Sequence, residues 1–237
     1  MLLSTPGLVL HTTPYAETSV VCKVFTRQLG MRSYIIKGVR GNRGRVKQNM
    51  LQPLSSLDMV VYDSHRTQLN YIKELSPRHP GYSASVPLSH SATQSALRFF
   101  MTEVLYKALR EEEPMPELWD YVDTTSRQVG EGIGLANLPI TFMLGVADHL
   151  GVMPMDNLSP AEPYFDLDDG RFVGLPEEAT LPLGLSALLH QYLGPEPPVA
   201  PLQERNALLS ALIAYFELHL SGFRNFTSHE ILHTILR

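Results

Sequence analysis

Cysteine is nearly missing from this chain: Cys22 stands alone among 237 residues. That excludes an internal disulfide and any zinc site built on paired cysteines. The company of Val20, Val21 and Val24 marks Cys22 as a buried small hydrophobe. Long apolar runs are missing too. The richest stretch, ALLSALIAYFELHLSG over 207–222, is interrupted by Ser210 and Glu217, so no bilayer-spanning helix is expected. The opening MLLSTPGLVLH has no basic start and carries Pro6 and Gly7, which does not fit a signal peptide. A soluble cytoplasmic protein with no membrane partner is the expectation. The third shortage is of acid at one end. Residues 1–50 hold Glu17 against Lys23, Arg27, Arg32, Lys37, Arg40, Arg43, Arg45 and Lys47, a local charge of +7 in a chain whose total is -5. The remaining residues therefore carry -12, and only the first part of the chain is prepared for an anionic partner.

What is present divides into two kinds of pattern. Segments 8–11, 19–26, 31–38, 57–63 and 67–74 are short, rich in Val, Ile, Tyr and Phe, and separated by Gly, Pro, Asn or Asp. Five strands in so short a length imply a small barrel. In the second, Val20, Cys22 and Val24 share one face and Lys23, Phe25 and Arg27 the other. SPRHPGYSASVP, at 76–87, has the composition of a linker. Beyond it the period becomes helical. Over 91–113, Ala96, Phe99, Phe100, Val104, Leu105 and Leu109 recur at three- and four-residue spacing behind a capping Ser91. Further helices are expected at 116–129, 135–150, 178–193, 203–220 and 228–237, making a bundle of about six. PYFDLDDGRFVG places Asp169-Gly170 between Phe165 and Phe172, a β-hairpin signal over 164–173. The fold class is thus α+β with two domains, a barrel over 1–78 and a helical domain with the hairpin insert over 79–237.

Two motifs compete for function. HEILH, at 229–233, matches the zinc-peptidase pattern of two histidines one helical turn apart around a glutamate. A catalytic zinc also needs a third protein ligand, and only four residues follow His233. Thr227 and Glu230 instead form a T-x-x-E capping box, with Ile231, Leu232 and Ile235 expected to bury one face of a last helix. The peptidase reading is set aside, and no cofactor, metal or catalytic set is expected. KGVRGNRGRVK, at 37–47, carries five cations spaced by three glycines and no acid, a loop able to follow successive phosphates. Phe25 and Tyr34 lie near these cations on the expected strands. A barrel with basic and aromatic residues together is the arrangement used by single-strand binders.

The whole pattern resembles the RecO family of bacterial recombination mediators and DNA repair proteins. The similarity rests on PGLVLHTTPYAETSVVCKVFTRQLG, IIKGVRGNRGR, LQPLSSLDMVVY, IKEL, FFMTEVLYKALREEEP and the final GFRNFTSHEIL. The resemblance implies an OB-fold barrel that binds single-stranded DNA and anneals strands, non-enzymatic, at the nucleoid. It implies work with RecR and the tail of the single-strand-binding protein to help load RecA. The family's basic loop falls on Lys37 and Arg40, continued by Arg43, Arg45 and Lys47, with Arg27 and Arg32 on flanking strands. Many family members hold zinc with four cysteines near the hairpin. This chain has none there, and packing around Tyr164, Phe165 and Phe172 is expected in their place. An RNA- or protein-binding adaptor on the same fold is the alternative.

Overall fold

The structure is a computed structural model that describes residues 2–39, 48–62, 69–78, 91–110 and 113–235. Its contacts gather into two units, one of Met1–Ser91 with Leu109–Glu131 and one of Ala92–Ala108 with Gly132–Arg237.

Alternating apolar residues build the first unit. Strands β1 (Leu2–Pro14), β2 (Val20–Thr26), β3 (Gly30–Ile36), β4 (Ser56–Tyr62) and β5 (Leu69–Pro77) close in the order β1-β2-β3-β5-β4. The β3 and β5 edges meet in parallel, and the remaining pairs are antiparallel. This is the five-stranded OB-fold barrel expected from the sequence. β1 is longer than the 8–11 segment that signals it. Its first half pairs with β4 and its second half with β2, and the ladder to β2 shifts between Val9 and His11. Val20, Cys22 and Val24 face inward with Tyr34, Ile36, Leu57, Met59 and Val61. Gly7 is required at the centre of this core, because a Cβ there would lie 2.5 Å from Val24 Cγ1 and 2.6 Å from Met59 Cε.

Helix α2 (Pro116–Glu131) docks on the barrel. The indole N–H of Trp119 donates to the Phe25 carbonyl at 2.9 Å. Arg27 makes two hydrogen bonds to Asp120, at 2.8 and 2.9 Å, and the Ser56 hydroxyl donates to Asp123 at 2.8 Å. Arg78 lies over the Trp119 ring at 5.5 Å and pairs with Asp58 at 3.0 Å. Glu113, just before α2, packs its backbone against Gly30, whose φ of +66° and closeness to that backbone admit no side chain.

The second unit holds α1 (Ala92–Ala108), α3 (Leu138–His149), α4 (Leu183–Leu193), α5 (Leu202–His219), α6 (Ser228–Ile235) and the hairpin of β6 (Tyr164–Asp166) and β7 (Arg171–Val173). Helices are shorter than the sequence suggests at several ends, α3 among them, which starts at Leu138 instead of 135. α1 stops at Ala108 instead of continuing to 113, and α4 starts only after Pro182, whose extended backbone ends the preceding segment. α1 buries Ala96, Leu97, Phe100, Met101, Val104 and Leu105. Phe99, expected on that face, is 55% exposed because it lies about 100° away from Phe100 around the helix. An aromatic series joins α1 and α5 to the C-terminal segment: Phe216 to Phe223 at 5.1 Å, Phe223 stacked on Phe226 at 5.4 Å, and Phe226 edge-on to Phe100 at 5.5 Å.

Candidate nucleic-acid interface

Inward placement of Val20, Cys22 and Val24 turns Val21, Lys23 and Phe25 to the outside of β2. One end of that outer face is closed. Phe25 is 1% exposed beneath the helix that binds its carbonyl through Trp119, and Tyr34 is equally buried because it faces the barrel core. Neither ring is available as a stacking platform, which corrects the expectation from sequence. The reason for each is different: a helix some ninety residues downstream covers Phe25, and strand parity turns Tyr34 inward.

The expected cations separate in the same way. Arg27 is engaged with Asp120, and this pairing holds the Asp120 carboxyl below its ordinary pKa, with burial opposing and the charges of Arg27 and Arg78 assisting. Arg32 is 7% exposed, and its Nε donates to the Leu29 carbonyl at 3.2 Å. Lys37 is exposed just past the end of β3. Arg40, Arg43, Arg45 and Lys47 lie outside the described residues.

Lys37 is joined by residues the sequence reading passed over. Its ammonium sits 5.5 Å from the centre of the Tyr71 ring on β5. The parallel ladder puts Tyr71 opposite Ile35, whose side chain points outward because Tyr34 and Ile36 point in. Tyr71 is 49% exposed, and Tyr62, at the end of the neighbouring β4, is 48% exposed. Between the pairs Val61–Ile72 and Val60–Glu74, β5 carries one extra residue, Lys73, which faces solvent beside Glu74, with 3.7 Å between their charged atoms. The signal was available in TQLNYIKE: with Asn70 and Ile72 inward, Tyr71 must face out.

In the second unit HEILH has a structural setting. Thr227 is the residue before α6, but the carboxylate that caps this helix is Glu103 of α1. The Thr227 N–H donates to both Glu103 oxygens at 3.2 Å and the Ser228 N–H to one of them at 2.7 Å. Glu103 thereby takes the place expected for Glu230 in a capping box. Burial alone would raise its pKa, but hydrogen bonds from Ser228 and Thr227 and the charge of Lys107 outweigh burial and hold it below the ordinary glutamate value. The Lys107 ammonium donates to the carbonyls of Arg224 and Asn225. His229 stacks on Phe226 at 5.7 Å. Leu232 is buried as expected, whereas Ile231 is 51% exposed, which corrects its assignment to the buried face.

The hairpin forms at Asp169-Gly170 as expected. Asp166 accepts from the N–H groups of Asp168 and Asp169 and Gly170 takes a φ of +68°. Phe165 and Phe172 pack edge to face at 5.2 Å, with Tyr215 6.1 Å from Phe165 and His190 6.4 Å from Phe172. The Asn157 side-chain amide both donates to the Phe172 carbonyl and accepts from its N–H, satisfying the backbone on the open edge of β7.

Residues 1–80 match the family model described as "Recombination protein O N terminal". Over 99% of its length and 99% of theirs, the chain is 29% identical to a protein of Christiangramia forsetii named DNA repair protein RecO. It is 28% identical to the proteins of the same name from Phocaeicola vulgatus, over 98% of both chains, and Porphyromonas gingivalis, over 99% of both. With a five-stranded barrel under the matched segment and similarity running the length of the helical unit, the chain is similar over nearly its whole length to proteins named DNA repair protein RecO.

Proposed function

We propose that this protein binds single-stranded DNA through its barrel and acts as a non-enzymatic mediator of DNA repair and recombination. In this role it anneals strands and works with RecR and the single-strand-binding protein to help RecA onto DNA. The observation that carries the proposal is the concentration of positive charge, with no acid between, in one short stretch of the sequence that begins at the end of β3. Five cations fall within 37–47, and Lys37 is exposed at the start of that run. Phosphates of a nucleic acid strand are the anions that such a spaced series of Lys and Arg fits, since each neutralised phosphate releases a condensed counterion. Arg27 and Arg32 contribute less, the first being occupied by Asp120 and the second lying below the surface. The acidic remainder of the chain repels DNA and leaves the helical unit for protein partners. No helix among the described residues is long and apolar enough to cross a membrane; the proposed action on DNA is what assigns the protein to the nucleoid.

Replacing Lys37 and Arg40 together by Ala is expected to weaken binding to a single-stranded oligonucleotide and to flatten the salt dependence by about 1.4, since each phosphate contact contributes roughly 0.7 to the slope. Fluorescence anisotropy over a salt series measures both. Unchanged affinity and slope would remove this loop from the site. Competition between DNA and RNA strands of one sequence, won decisively by RNA, would turn the reading toward an RNA-binding adaptor.

A further inference from the structure

We infer that Tyr71 is a base-stacking platform for single-stranded DNA, set between Lys37 and Lys73, and that Tyr62 extends it; the inference rests on the single-strand-binding reading above. Four observations converge on this part of the barrel. Tyr71 is a large aromatic side chain left half in solvent on a strand whose neighbours Asn70 and Ile72 turn inward. Continuing the Val61–Ile72 ladder by one step places Tyr62, also half exposed, directly across from Tyr71. Cross-strand neighbours of this kind stand about 5 Å apart at Cβ. The Lys37 ammonium is held over the Tyr71 ring, 5.5 Å from its centre. Finally, Lys73, two residues along from Tyr71, faces outward by the same strand alternation and is exposed.

The chemistry of this grouping suits a nucleotide with its base unstacked. A tyrosine ring offers a π-face that any base can cover, and the flanking ammonium groups are positioned for the phosphates on either side of that base. Duplex DNA hides its base faces, so the same residues would meet only its phosphates. The platform therefore supplies a preference for single strands that the charged loop by itself does not. Glu74, 3.7 Å from the Lys73 ammonium, offsets part of its charge, so that Lys37 is the stronger of the two phosphate contacts.

The test compares the full-length protein on two strands of equal length, oligothymidylate and an abasic strand with the same backbone. Wild type should bind oligothymidylate more tightly. Tyr71→Ala should weaken oligothymidylate binding by at least about fivefold, the lower end of what losing one base stack costs, while leaving the abasic strand and the salt slope unchanged. Tyr71→Phe should retain wild-type affinity, and a thermal melt of each variant shows that the barrel is intact. The stacking role is overturned if wild type binds both strands equally, or if Tyr71→Ala weakens both alike or neither. Should Lys37→Ala/Arg40→Ala weaken binding while Tyr71→Ala does not, the platform alone fails. Should wild type bind neither strand, the single-strand reading fails with it.

Discussion

Cys22 sits between Val20 and Val24 on the inner face of β2, where loss of solvent pushes its thiol pKa up to about 12 against a small opposing hydrogen bond from Thr12. At pH 8 its thiolate fraction is then on the order of one in ten thousand. A thiol reagent is expected to leave the native protein unlabelled and to modify one site after denaturation; rapid native labelling would contradict the burial. The two glycines that shape the barrel make the same point about crowding. Gly7→Ala forces a methyl into Val24 and Met59, and an overpacked core of this kind costs about 1–3 kcal/mol, readable by chemical denaturation. Residue-scale chemistry was partly legible in the sequence. Strand parity alone sorted Val20, Cys22 and Val24 from Lys23 and Phe25. It could not show that Phe25 would be covered by α2, because the covering residue, Trp119, is distant in the chain and only tertiary contact brings it there.

At the scale of elements, the last helix depends on a carboxylate from another helix. Glu103 and Lys107, one turn apart on α1, hold opposite charges of the 224–228 segment: the carboxylate meets the N–H groups that begin α6, and the ammonium meets two carbonyls just before it. Glu103→Ala should destabilise the docking of α6 by about 1 kcal/mol, as loss of a helix cap does. The same contact sets a pH dependence. Because the folded pKa of Glu103 is depressed, its contribution is present above the ordinary glutamate pKa and is lost as pH falls through the depressed value. Hydrogen exchange of the α6 amides should rise in acid for wild type and show no such step for Glu103→Gln; identical acid profiles would refute the cap. The last helix itself was legible from T-x-x-E followed by an apolar pair. Its capping partner was not, since Glu103 lies more than a hundred residues earlier and nothing in its local sequence marks it. The hairpin needed no distant partner: Asp169-Gly170 between Phe165 and Phe172 specified it directly.

For the whole molecule, charge is divided along the chain: cations concentrate within residues 1–50, and the acidic balance lies in the remainder. The five-strand barrel and the helical series could be read from the change of period along the chain. The grouping of 109–131 with the barrel could not, because α2 has an ordinary helical pattern and its Trp119, Asp120 and Asp123 find their partners only in the folded β2, β4 and their flanking residues. The most direct test of single-strand binding by the basic barrel is a salt titration of wild-type affinity for oligothymidylate. Engagement of the five cations at 37–47 predicts that log K falls with log salt at a slope of about -3.5. An affinity that does not change with salt, or no binding at low salt, would contradict it.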